Sequence, residues 1–399
     1  MWWLLLLTAL SLLLLLAVWL TIDYTYGHKQ LQTHNRPHMT SVQRADLNLF
    51  TTGEDFFDCF IRDINDATDH IHILFYIFNY DTLGKRVLTA LEQKASLGVD
   101  VCLLVDRVGC HLPRKATKRL KRAGISFAYA RPVRGPLYFF SLNRRNHRKI
   151  AVIDGHIGYI GGYNVGDEYV SRDPKFGFWR DFHVRLTGAA CIDIARQFCA
   201  DWYEATEVRL PHMETPPDPS GHTSVQFLAT NGIGLEKELC AFISQSKKTC
   251  FIATPYYIPS NRLQRVVEDA ARRGVDVRIL LPEKADHLLV TEASHRYLIR
   301  ALQAGTTVYH YYRGFYHAKA LIVDGETCFI GTANFDRRSL HLNDEMGLLT
   351  HDSVFTRQVI DCIEHDMSVS MHVTLEALEK RPWHMRLREK IGGWIEGVL

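Results

Sequence analysis

Two stretches of this chain carry the same reactive side chains at the same spacing. His147 to Asn164 reads HRKIAVIDGHIGYIGGYN, and His317 to Asn334 reads HAKALIVDGETCFIGTAN. Aligned without gaps they share His, Lys, Asp, Gly, Ile, Gly and Asn, seven identities in eighteen positions. Imidazole, with an ordinary pKa near ~6.5, serves as nucleophile or as general acid and base around neutrality. Lysine brings a positive charge with only donors, and asparagine a neutral amide. Charge spread over several oxygens, as on a phosphoryl group, is what such a set stabilises. Two copies supply two His147/His317 imidazoles, two lysines (Lys149, Lys319) and two amides (Asn164, Asn334). One histidine then attacks phosphorus while the other protonates the departing alcohol. The chemistry calls for no metal and no cofactor: the motif itself lacks the carboxylates or cysteines that a metal site beside these histidines would use.

Elements must deliver those residues to one place. Each copy has a short apolar run, then Asp-Gly (Asp154, Asp324), then a second apolar run, the pattern of a hairpin. Residues two apart on a strand share a face, so His147 with Lys149, and His317 with Lys319, are expected to project together. Gly161-Gly162 and Gly331-Thr332 let the returning chain bring each asparagine back toward its His-Lys pair. The repetition extends upstream. Ile71 to Phe78, a helix-like segment, Gly98 and the run Cys102 to Val105 form one β–α–β pattern. Cys250 to Ile258, a helix-like Leu263 to Arg273, Gly274 and Arg278 to Leu281 form another. His317 follows His147 by 170 residues, too long a period for a solenoid. The expectation is an α/β chain of two duplicated domains. Pro211 to Ser224, with four prolines, reads as the linker between them.

The 399 residues and 47% apolar content suit a folded globular protein and exclude disorder or a multi-span membrane protein. Nine cysteines, an odd count without a CxxC pair, read as scattered thiols in a reducing compartment. Met1 to Ile22 has no charged residue, contains two leucine runs, and carries tryptophans near both ends. At ~1.5 Å per residue it would span a bilayer core. It lacks the leading basic residues and small-residue cleavage site of a signal peptide, so a retained single-pass anchor is expected. Lys29, Arg36 and Arg44 follow the span, which assigns the bulk of the chain to the cytoplasm. The formal charge of +3 is a cancellation. Thirteen Lys or Arg and no acid lie between Arg107 and Lys149, leaving −10 for the rest. RKATKRLKR (114–122) and the arginines around Leu137-Tyr138-Phe139-Phe140 suit an anionic membrane surface. The C-terminal WHMRLREKIGGWIEGVL (383–399) is a candidate second interfacial segment.

The paired motif H-x-K-x4-D-x6-G-[GT]-x2-N resembles that of the phospholipase D superfamily. Within it the chain is most similar to the bacterial cardiolipin synthases. That likeness rests on Asp167-Glu168-Tyr169, Trp179-Arg180-Asp181, Asp201-Trp202, Tyr256-Tyr257-Ile258-Pro259, Asn334 to Ser339 and Asn343-Asp344-Glu345. The resemblance implies two phospholipase D-like domains, each a mixed sheet flanked by helices, with the site at their pseudo-twofold interface. The expected division is an anchor (1–22), a juxtamembrane linker (23–46), a first domain (47–210), a linker (211–224), a second domain (225–370) and a C-terminal segment (371–399). It further implies a phosphohistidine intermediate, with His147 as nucleophile and His317 as general acid. Lys149, Lys319, Asn164 and Asn334 would hold phosphate oxygens, and Asp154 and Asp324 are grouped with the histidines and lysines as catalytic residues of the motif, with the task of ordering it. Family spacing places an orienting acid 25 to 35 residues after each histidine, here Asp181 for His147 and Glu345 for His317. The implied partners are an anionic phospholipid, phosphatidylglycerol, and the bacterial cell membrane, without nucleic acid. Transfer to a second lipid, hydrolysis to phosphatidic acid and a nuclease activity all remain open to this motif, as does the oligomeric state.

Overall fold

The computed structural model describes residues 2–34, 36–211, 220–284, 286 and 290–380. It opens with helix α1 (Trp2–His34) and a short strand β1 (His38–Met39). The first half runs β2 (Gln43–Thr52), α2 (Gly53–Asp66), β3 (His70–Phe75), α3 (Thr82–Ser96), β4 (Asp100–Asp106), α4 (Arg114–Arg122), β5 (Ser126–Ala130), α5 (Tyr138–Asn143), β6 (Ile150–Ile153), β7 (Ile157–Gly161), β8 (Phe178–Thr187) and α6 (Cys191–Thr206). The second runs β9 (Thr223–Asn231), α7 (Leu235–Ser244), β10 (Thr249–Ala253), β11 (Tyr257–Ile258), α8 (Asn261–Arg272), β12 (Asp276–Pro282), α9 (Val290–Gln303), β13 (Thr307–Tyr311), β14 (Gly314–Tyr316), β15 (Ala320–Val323), β16 (Thr327–Gly331), β17 (Phe335–Asp336), α10 (Arg337–His341), β18 (Asp344–Thr350), α11 (Ser353–Ser368), β19 (Ser370–Val373) and α12 (Leu375–Glu379).

The two sheets share one strand order. The first is β2-β8-β7-β6-β3-β4-β5, with β3, β4 and β5 parallel and the others antiparallel. The second, β9-β18-β16-β15-β10-β12-β13, repeats it and adds β19 beyond β13. The alternation of each strand explains the layering. On β3, Ile71, Ile73 and Phe75 face a core under α2 and α3, while Leu74 faces a central core. On β15, Ala320 and Ile322 face that same central core, and Leu321 and Val323 face one under α7, α8 and α9. The central core also takes Phe198 and Trp202 of α6 and Val359 and Ile363 of α11, so both halves bury apolar surface against each other. Main-chain pairing adds to this: β2 pairs with β9, and β14 pairs in parallel with β8. Asp81, Ser260 and Asp352 accept first-turn N–H groups of α3, α8 and α11.

Several expectations need correction. The helix does not stop where the apolar stretch stops. Asp23 ends the run of exposed apolar residues, but nothing breaks a helix until Pro37, so α1 continues to His34. Residues 23–46 are therefore a docked helix followed by paired strands, not a linker. Residues 212–219 of the expected interdomain linker and 381–399 of the C-terminal segment lie outside the described residues. β9 begins at Thr223 and β19 carries the second sheet beyond residue 370. The Cys250–Ile258 run is interrupted near Pro255, where β11 leaves to pair with β17. The nine cysteines are all free thiols. The basic stretch is not a uniform surface. Arg145 and Arg148 are buried against Asp106 and Asp201, Arg131 and Arg144 pair with the buried Asp344, and Lys149 is buried.

Candidate active site

Both Asp-Gly turns have positive φ at both residues, 49° and 69° at Asp154-Gly155 and 55° and 68° at Asp324-Gly325. That is the turn whose twist matches a hairpin. The two aspartates are occupied there. Asp154 accepts the backbone N–H groups of Thr68, Asp69 and His70, and Asp324 those of Lys247, Lys248 and Thr249. These bonds hold both carboxyls below their usual range although burial works the other way. Each ties the hairpin to the start of the neighbouring strand, β3 or β10. The histidine lies seven residues earlier, beyond the other end of a four-residue strand, roughly 20 Å away along the extended chain. Asp154 and Asp324 thus sit away from the reactive groups, so their grouping with the catalytic residues is corrected to one of framework.

His147 and Lys149, and His317 and Lys319, stand in extended lead-ins immediately before β6 and β15 rather than within the strands. What holds these lead-ins is the opposite half. His147 donates its backbone N–H to the Asp344 carbonyl, 2.9 Å, and Asp344 donates to the Arg145 carbonyl, 2.9 Å. His317 donates to the Arg180 carbonyl, 2.7 Å, continuing the β14–β8 ladder in which Tyr316 is opposite Arg180. One step further along each contact, side chains meet. His147 Nδ1 lies 3.0 Å from both carboxylate oxygens of Glu345, and His317 Nδ1 lies 2.6 Å from Asp181 Oδ2. The expected pairing of each histidine with the acid downstream in its own half is therefore reversed. The carboxylates cross between halves because the contacts at the interface put Asp181 beside His317 and Glu345 beside His147.

The four groups are buried, and their electrostatics follow from that. Burial pulls both imidazoles down to about 4, against the carboxylates that work to raise them. Burial also works to raise Glu345, but His147 and Lys149 outweigh it and hold it at about 2. Asp181 is likewise lowered despite burial, by Lys319 and His317. An ionised carboxylate only accepts, so each neutral ring carries its proton on Nδ1 and leaves the Nε2 lone pair free. Lys149 is brought down to about 7 and Lys319 to about 8, chiefly by burial, with Lys149 also repelled by Lys319. Each lysine donates to the carbonyl of its own histidine, Lys149 at 2.8 Å.

His147 and His317 line one cavity of about 510 Å³, with Asn164 and Asn334 in its wall. Asn164 Oδ1 accepts from Ile77 N–H at 3.0 Å, and Asn334 Nδ2 donates to Asp336 at 3.1 Å. The cavity also shows residues to which the motifs gave no role. Tyr76 packs edge-on to His147 at 4.9 Å and lies under the Lys149 ammonium. Trp179 and Phe315 wall His317 at 5.1 and 5.8 Å. Thr332 and Ser339 donate to Glu345. Lys175 and Arg338 are cations of the wall outside the two motifs. Thr332 stands at the position of Gly162 in the other copy, a difference visible in the aligned repeats. Tyr76, inside an ordinary apolar strand run, carried no such signal.

A family model described as "Cardiolipin synthase, PLD-like domain" matches residues 60–174 and 239–367. Minor cardiolipin synthase ClsB of Bacillus subtilis (strain 168) is 41% identical over 353 residues, covering 88% of this chain and 89% of that protein. Major cardiolipin synthase ClsA of the same bacterium is 38% identical over 372 residues, 91% of this chain and 77% of that one. Among solved structures, phosphatidylserine synthase of Haemophilus influenzae Rd KW20 superposes with a TM-score of 0.72 at 14% identity, over 94% of this chain and 100% of that chain, a likeness of fold.

Proposed function

The chain belongs to the phospholipase D-like cardiolipin synthase family, and we propose on that premise that it joins two phosphatidylglycerol molecules into cardiolipin and glycerol. The observation that carries this reading is the pair of histidines on one cavity, each with Nδ1 occupied by a carboxylate and Nε2 free. His147 Nε2 attacks the phosphorus of the first lipid. As the phosphodiester anion arrives, His317 takes up a proton from water on Nε2; the P–O bond to glycerol then breaks and His317 gives that proton to the departing oxygen. The phosphatidyl group is then held on His147 through a P–N bond. A hydroxyl of the second lipid passes its proton to His317 as its oxygen attacks phosphorus and the P–N bond breaks. Both histidines end as they stood with the first lipid bound. Asp181 favours the imidazolium form that His317 needs as acid, and the arriving phosphodiester anion adds to it. Lys149 and Lys319, both weakened by burial, are recharged by the same anion, and with Asn164 and Asn334 they hold its oxygens.

Membrane attachment belongs to the same reading. α1 is long and apolar enough to cross a bilayer, and the basic residues after it favour the catalytic halves lying on the cytoplasmic side of the bacterial cell membrane. Incubation of the purified protein with phosphatidylglycerol, read by mass spectrometry, is expected to yield cardiolipin and glycerol in equal amounts. Phosphatidic acid as the sole lipid product would overturn transfer in favour of hydrolysis. Cleavage of single-stranded DNA without lipid turnover would overturn a lipid substrate altogether.

A further inference from the structure

α1 changes character at Asp23. Trp2 to Val18 is exposed on every side, as a span in lipid would be. From Asp23 onward the helix is bound to the catalytic halves. Asp23 is buried, and Oδ1 accepts the Phe140 backbone N–H at 2.7 Å. One residue on, the Tyr24 ring lies 6.2 Å from both Phe139 and Phe140. Gly27 permits close approach: a Cβ there would fall 2.2 Å from the Phe140 ring. Leu31 closes a small core with Phe140 and Leu342. These contacts recur over more than two helical turns, so α1 meets the body as a fixed strut.

That contact places α5 at a definite height. The apolar stretch ends at Ile22, and Phe140 touches residues 23 to 27, roughly 1 to 8 Å further along the helix axis. The headgroup layer occupies about that depth beyond the hydrocarbon core. On α5, Phe140 faces α1. Tyr138 and Leu142, four residues apart and so on one side of the helix, are 56% and 49% exposed. Val133 is exposed just before them, Tyr26 is exposed on α1, and Arg134 lies in the same segment. An aromatic ring, an aliphatic side chain and a basic residue beside the end of a span are the composition of an interfacial element. α5 also touches the site: Arg338, in the cavity wall, donates to the Asn143 carbonyl at 2.6 Å.

We propose that α5 is an interfacial helix, held by α1 in the headgroup layer of the bilayer that α1 crosses, and that this seat sets the height of the catalytic cavity above the lipid. The proposal rests on the anchoring reading above. The occupant of the exposed side of α5 is lipid rather than a second protein surface, because α5 packs on α1 immediately after the apolar span ends.

The test uses the full chain in vesicles of phosphatidylethanolamine and phosphatidylglycerol. Cys59, Cys110 and Cys362, the thiols that are not buried, are replaced by serine. A polarity-sensitive fluorophore is then attached to Leu142→Cys, Leu12→Cys or Leu97→Cys. Leu97 is exposed at the end of α3, across β4 from Asp106. Residue 142 is expected to be quenched by a nitroxide near the headgroups, residue 12 by one deep in the chains, and residue 97 by neither. If residue 12 is quenched and residue 142 reports water, or is shielded from water and lipid alike, the interfacial seat is overturned while the anchor stands. If residue 12 also reports water, the anchoring reading falls first. For the second half of the proposal, Tyr138→Ser combined with Leu142→Ser is expected to lower turnover severalfold in vesicles, with little change on short-chain phosphatidylglycerol in micelles. An equal loss in both assays would overturn the role of the seat in presenting the cavity.

Discussion

The two histidines carry the same motif in different surroundings. His147 is held by the longer acid, Glu345, which touches Nδ1 evenly with both oxygens and is itself fixed by the hydroxyls of Thr332 and Ser339. Behind it is a lattice of buried ion pairs, Arg145 with Asp106, Arg148 with Asp201, and Arg131 and Arg144 with Asp344. His317 is held by the shorter acid, Asp181, through one 2.6 Å contact, in a wall of Trp179 and Phe315. Ala318 stands where the first copy has Arg148, and Gly162 where the second has Thr332. A duplicated motif thus gains two environments. A ring gripped by a rigid lattice suits an atom that must hold a covalent bond. A ring on one short charge-assisted bond suits repeated gain and loss of a proton.

The sharpest way to break that comparison is to remove each ring. His147→Ala is expected to lower transfer by up to about 10⁶-fold and His317→Ala by about 10⁴-fold. His317→Ala should still permit labelled lipid to be trapped on the protein after acid-free denaturation, and His147→Ala should not. The opposite pattern would exchange the two roles. Next come the crossed carboxylates. Asp181→Asn and Glu345→Gln each favour the wrong tautomer of the histidine in the other half, and losses of about 10³- to 10⁴-fold are expected. Single-turnover kinetics separate them: Glu345→Gln should slow formation of the phosphoenzyme, while Asp181→Asn should slow both proton-transfer steps.

The turn positions offer a gentler comparison. A Cβ at residue 162 would fall 2.1 Å from Asp181 Oδ1, whereas Thr332 uses its side chain to support Glu345. Gly162→Ala should therefore reduce kcat by roughly 10²-fold by displacing the acid, and Thr332→Ala by only about tenfold for one lost hydrogen bond. Arg148→Ala tests the lattice through stability. It leaves Asp201 buried without its partner, and a loss of about 3–5 kcal/mol is expected in denaturant unfolding. The smallest effect is in pH. Lys149 and Lys319 stand at about 7 and about 8, so raising the pH through these values neutralises them and weakens phosphate binding. kcat/KM should begin to fall above pH 7, where Lys149 loses its proton, and fall further through pH 8, and Lys319→Arg should remove the upper part of that limb. On the acid side His147, at about 4, stays neutral and nucleophilic until the pH drops toward that value.

Much of the site was legible because its chemistry is local. His147, Lys149, Asn164 and their counterparts follow one another at fixed spacing, and a hairpin must gather them whatever surrounds it. The roles of Asp154 and Asp324 in framing the turn follow from Asp-Gly itself, though their bonds to the start of β3 and β10 do not. Tyr76 could not be recognised, since an aromatic residue in an apolar strand looks like core. The basic stretch from Arg107 to Lys149 misled in part. Charge counted along the chain does not reveal that Asp106, just before the stretch, and Asp201 and Asp344, far beyond it, neutralise its buried arginines.

The residue types and their duplication determined the reaction class, and the uncharged leucine-rich start determined that a helix long enough for a bilayer would form. Tertiary structure decided which acid serves which histidine, and where the end of that helix rests. Both are contacts between residues far apart in the chain: Asp181 and His317 meet through the β14–β8 ladder, Glu345 and His147 through the pairing of Asp344 with residues 145 and 147, and Asp23 and Phe140 through the docking of α1 on α5. Spacing along a sequence measures proximity only within an element. Across an interface it is the register of one half on the other that sets which side chains touch.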